Sequence, residues 1–186
     1  MSVVTTGCQL SIAIVFAISA FTKLRTGAAF RSFVASLVMV PGPFRYAVAA
    51  VLAAGEVIVT VLAAGGVAAA VAVAAATPVP AWPRLGLALA GVLLVVLSAG
   101  IAVTRWRGLR VACRCFGRSE TPLGGVHLVR NALLLVVVAL GLSAPAVTGP
   151  LPVAGLAVAV PVALTTAVVL VFFDDIADLF VPGERT

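Results

Sequence analysis

The chain has 186 residues, of which 63% are hydrophobic and 10% charged, with a mean hydropathy of +1.27. A soluble domain is about 45–50% apolar and about 25% charged, so this much apolar surface cannot be hidden in a water-bathed core and lipid must be the solvent. The net charge of +6 and the pI near 10.6 do not point to nucleic acid. The basic residues flank apolar runs, where topology and anionic headgroups call for them.

A bilayer core of about 30 Å needs about 20 helical residues. Ser2 to Thr22 is the first charge-free run and ends at Lys23. No basic stretch precedes it, so it reads as a retained span rather than a cleavable signal. Thr6-Gly7-Cys8 is not a lipoprotein cleavage box, because the apolar stretch follows the cysteine instead of preceding it. Next, Phe30, Phe33, Val34, Leu37 and Val38 recur at helical spacing within residues 28–39. That stripe predicts a short amphipathic helix lying along the membrane surface.

Tyr46 to Thr77 is the second span, interrupted by Glu56, and Leu85 to Thr104 is the third, closed by Arg105-Trp106-Arg107. Val126 to Leu142 is a shorter fourth, and Leu151 to Phe173 a fifth. Prolines between residues 78 and 83 and at Pro145 break the chain between spans. Trp82 and Trp106 stand where interfacial aromatics belong. The expected fold is a single all-α integral membrane bundle of four to five transmembrane helices over residues 1–186. With five spans, the loops after the first and third share a side and hold nine of the twelve Lys/Arg residues. The positive-inside rule makes that side cytoplasmic.

The second of those loops contains Cys113-Arg114-Cys115-Phe116-Gly117. Thiols at i and i+2 can reach disulfide distance in a bent loop, and so small a ring is strained and readily reduced. Arg110, Arg114 and Arg118 would favour a thiolate. The plain alternative is a pair of inert, buried cysteines, which fits an arginine-rich loop poorly. Zinc would need a fourth ligand beside Cys113, Cys115 and His127, and no metal is expected.

Glu56 lies eleven residues beyond Arg45, about 16 Å along a helix, where an ionisable group needs a function or a partner. His127, Arg130 and Asn131 stand at i, i+3 and i+4 and so share one inward face. Arg130 is the expected partner of Glu56 in a pair that holds the bundle together, with Lys23 as the competitor. Asp174, Asp175 and Asp178 read as a solvated terminus.

Three stretches together resemble a known family: Phe16 to Leu24 with Lys23, Glu56 in the second span, and Cys113-Arg114-Cys115-Phe116-Gly117 followed by His127 to Leu135. The chain resembles the MauE family of methylamine-utilisation membrane proteins, distantly DoxX-like, from about residue 12 to residue 135. Arg114 replaces a glycine common in that family, which adds charge. The resemblance implies a membrane thiol-redox or maturation component that supports disulfide formation or assembly of methylamine dehydrogenase or a similar client. Cys113 and Cys115 would exchange electrons with a thioredoxin-like, MauD-type partner. Lys23, Glu56, His127, Arg130 and Asn131 would be intramembrane polar positions. A thiol–disulfide oxidoreductase would use a quinone as terminal oxidant, and no other cofactor is expected. The alternatives are a non-catalytic membrane assembly factor and a small-molecule transporter using Glu56 and Arg130. Disulfides of an extracytoplasmic client form outside, whereas the charge bias places the pair inside. Electron transfer across the membrane, a different role or a different span count would each reconcile the two.

Overall fold

A computed structural model describes residues 3–72, 82–108, 125–144 and 153–180. Every regular element among them is helical: α1 (Val3–Leu24), α2 (Gly27–Ser36), α3 (Arg45–Ala72), α4 (Trp82–Trp106), α5 (Gly125–Ser143), α6 (Val153–Val171) and α7 (Phe173–Phe180), with a single 3₁₀ turn at Gly42–Phe44 before α3. Five of these, α1, α3, α4, α5 and α6, are long and apolar enough to cross a bilayer. The second span is one continuous helix rather than a re-entrant pair.

Helices α1, α3, α4 and α5 form a closed ring in which each packs on the next and α5 returns to α1; α6 lies against α1 from outside the ring. In α1, 56% of the span is buried, against 28–33% in the other four. The first span is therefore the hub, and the others present most of their surface to lipid. Ile12, Val15 and Phe16 of α1 meet Val59, Leu87, Leu94, Leu134 and Val138 in the core.

Between α1 and α6 the contact is made by small side chains. Gly155, Ala159, Ala163 and Ala167 recur every four residues on the buried face of α6, and a Cβ on Gly7 of α1 would make ordinary van der Waals contact with the Ala159 carbonyl at 3.8 Å. Ser11 Oγ reaches the Ala163 carbonyl at 3.4 Å as well as its own Gly7 carbonyl at 2.9 Å. In hydrocarbon, helices associate by such close packing and hydrogen bonding, because lipid is as apolar as leucine. Between α3 and α4, a Cβ on Gly86 would come within 3.0 Å of Leu62 Cβ and 3.3 Å of the Ala63 nitrogen. Only glycine allows α3 and α4 to cross so tightly there.

Local signals set the helix ends. Thr26 caps α2 by accepting from the Ala29 N–H at 3.1 Å. Gly108, at φ +68°, closes α4 in the left-handed region, its N–H bonded to the Arg105 carbonyl at 2.9 Å. Trp106 beside it is 88% exposed, as an interfacial anchor should be. The expected amphipathic helix is present as α2, with Phe33 its one buried residue.

Alternation of the spans brings Lys23, Arg45, Arg105 and the start of α5 to one end of the bundle. Arg84 stands at the other end, where it donates to the Ala144 carbonyl at 3.1 Å and ties α4 to α5.

Candidate functional site

The buried charged residues of the spans gather towards the basic end. Ser19 and Lys23 stand four apart on α1, so they share a face, and α3 sets Glu56 opposite them. The Lys23 ammonium donates to Glu56 Oε1 and, at 2.8 Å, to Ser19 Oγ, while the Ser19 hydroxyl donates to Glu56 Oε1 at 3.1 Å. Lys23 is 4% exposed and Glu56 3%. The lysine also lies 4.9 Å from the centroid of the Phe33 ring, a cation–π contact strengthened by the burial of both groups. Phe33 therefore anchors α2 over the ion pair.

This corrects the expected Glu56–Arg130 pair. Lys23 wins because α1 and α3 are the most intimately packed neighbours of the ring, and because Lys23, four residues after Ser19, stands on the buried face of α1.

Arg130 has another partner. Its Nη1 donates to Asp174 Oδ2 at 2.7 Å, and His127 Nδ1 lies 3.1 Å from the same oxygen. The solvated-terminus reading is thereby overturned for Asp174, which is 6% exposed. The physical reason is that α6 runs antiparallel to α5 and hands the chain to α7 beside the start of α5. Asp175 is exposed, as expected. Burial raises the Asp174 carboxyl, but the hydrogen bond from His127 and the charge of Arg130 outweigh it and hold its pKa below the ordinary carboxylate value.

Asn131 completes the inward face of α5, donating to Ser98 Oγ on α4 at 3.1 Å. His127, Arg130 and Asn131 are all at most 4% exposed, so the i, i+3, i+4 spacing placed them correctly. The thiols Cys113 and Cys115, with Arg110, Arg114 and Arg118, lie outside the described residues. The helices on either side of them are described, and both Gly108 and Gly125 stand at the basic end.

Two features escaped the sequence reading. Ser19 has the signal of a hydroxyl four residues before a lysine in an apolar run. Gln9, 0% exposed on α1, has neither amide atom bonded among the described residues; its signal was an amide side chain inside an apolar span.

The chain was compared with known proteins. The family described as methylamine utilisation protein MauE matches residues 1–144. No curated protein and no solved structure matches the chain.

Proposed function

The chain belongs to the MauE family of methylamine utilisation proteins, and from that membership we propose that it is a membrane thiol-redox component serving the maturation of methylamine dehydrogenase or a similar disulfide-containing client. The observation that carries this reading is the reach of the match. Residues 1–144 include both the Cys113-Arg114-Cys115-Phe116-Gly117 stretch and the His127–Leu135 stretch. Lys23, Glu56, Arg130 and Asn131 also lie within it, and in this reading they brace the bundle end from which the thiol segment departs.

The chemistry is thiol–disulfide exchange. A thiolate of one protein attacks a disulfide sulfur of the other, a mixed disulfide forms, and the second thiol of the attacking pair displaces it. Whichever protein began as the dithiol ends as the disulfide. Arg110, Arg114 and Arg118 favour the attacking thiolate, and the partner is a thioredoxin-like protein of the MauD type. The positive-inside rule puts the exchange on the cytoplasmic side.

The buried charges suit a structural role better than a transport path. Glu56 is neutralised by Lys23, and Arg130 by Asp174.

Replacing the cysteine that resolves the exchange with serine is expected to trap a mixed disulfide with the thioredoxin-like partner, visible on a non-reducing gel, and replacing the attacking one to prevent it, so one of the two single variants should show the band. Replacing both is expected to abolish client maturation. Full maturation by the double variant is the outcome that would replace this reading with that of an assembly factor working without thiols.

A further inference from the structure

Inside the ring, at the level of the Lys23–Glu56 pair, lies a cavity of about 220 Å³. It is walled by α1, α3, α4 and α5 and roofed by Phe33 and residues 37–40. The roof is tied down, since Arg45 Nε donates to the Val40 carbonyl at 2.8 Å. A dry cavity of about 150 Å³ takes up a benzene ring, so this one has room for a substituted ring. Phe16, Leu52, Leu94, Leu97, Ile101 and Leu134 make most of its wall apolar.

Three observations narrow the occupant. The charged groups at the wall are already neutralised, Lys23 by Glu56 and Arg130 by Asp174, so the head that fits is neutral. Glu56 lines the cavity while 3% exposed, and its Oε2 has no hydrogen-bond partner among the described residues. A buried carboxylate oxygen of this kind calls for a donor. Finally, the exposed residues among the cavity's walls are Val38, Val96 and Gly100. None carries a polar side chain, so the opening suits a ligand that arrives through lipid.

We propose that this cavity binds the head ring of a lipid-borne quinone and its quinol. The quinol hydroxyl donates to Glu56 Oε2. The carbonyl of the oxidised form accepts from Lys23 or Asn131, N–H donors on the same wall. A neutral ring that alternates between donor and acceptor matches a wall holding both an unpartnered acceptor and buried donors. Binding stands on the cavity alone; the electron transfer rests on the thiol-exchange reading. Oxidation of the Cys113/Cys115 dithiol to a disulfide releases two electrons and two protons, and the quinone takes up both pairs to become the quinol.

The test titrates the full chain in lipid nanodiscs with a decyl-substituted benzoquinone, and separately with its quinol, against empty nanodiscs. Saturable uptake of one ring per chain is expected. Gly100→Leu is the decisive variant: a Cβ there meets nothing within 4 Å, so the fold tolerates it, and the added side chain stands at the mouth of the cavity. It should weaken both ligands at least tenfold, and Glu56→Gln should weaken the quinol more than the quinone. Wild-type affinity in Gly100→Leu, uptake indistinguishable from empty nanodiscs, or equal competition by decanol overturns the proposal. Dithiol oxidation is followed in the same samples. Saturable binding without oxidation would sink the exchange reading and leave the cavity assignment standing. Oxidation without saturable binding would do the reverse.

Discussion

Glu56 shows how one residue can announce a site without naming its partner. A carboxylate eleven residues into an apolar helix is legible as a buried charge, because lipid offers it no hydration. Its choice between Lys23 and Arg130 depends on which helices touch. Removing one member of a buried pair strands the other and costs about 3–5 kcal/mol. Glu56→Gln is therefore expected to lower the unfolding temperature in detergent sharply, and Lys23→Met combined with Glu56→Leu to recover most of the loss. An unchanged unfolding temperature in Glu56→Gln would show that the pair does not hold the bundle. Asp174 was illegible for a related reason: a charge run near a chain end looks solvated until a helix turns it inward. Its pKa is depressed in the folded state. Its contribution is thus full above the unfolded carboxylate pKa and is lost as pH falls through the lower folded value. Amide exchange across Phe173–Phe180 should therefore rise in acid below the ordinary carboxylate range, and in Asp174→Asn already at neutral pH. Protection that persists in Asp174→Asn would show that apolar packing alone docks α7.

At the scale of elements, hydropathy located all five spans to within a few residues; the second was expected to run to Thr77, and its last five residues lie outside those described. Packing faces were harder to read. The Gly155, Ala159, Ala163, Ala167 stripe lies in plain view in α6, but alanine and valine fill every span and mask it. Ala163 is 0% exposed, and forcing extra methylenes into such a contact costs about 1–3 kcal/mol. Ala163→Leu should accordingly lower the unfolding temperature, whereas Val162→Leu, at a position 57% exposed, should not. Equal effects from the two would mean that α6 does not pack on α1 through this face. The amphipathic α2 was predictable from its stripe, but its place over Lys23 was not, since that rests on Phe33 against the ammonium and on Phe30 packing edge-on against Tyr46 of α3.

For the whole molecule, the five spans among the described residues put the start of α1 and the end of α6 on opposite faces and bring Lys23, Arg45 and Arg105 to one end. Trp106 and Val153 mark the two faces with side chains 88% and 85% exposed. In a background with Cys8, Cys113 and Cys115 replaced by serine, Val153→Cys is expected to react with an impermeant maleimide on intact cells. Trp106→Cys should react only after permeabilisation. The opposite pattern would reverse the charge-based orientation and place the thiol segment outside, where client disulfides form. By itself the sequence determined the solvent, the spans, the basic end and the inward face of α5, because hydropathy, charge placement and helical period act along the chain. Only the tertiary structure decided that Lys23 neutralises Glu56, that Asp174 returns to Arg130 and His127, and that a cavity remains among them. Those contacts join residues 33 to 47 positions apart on different helices, and such pairings are set by which faces pack together rather than by any local preference of the chain.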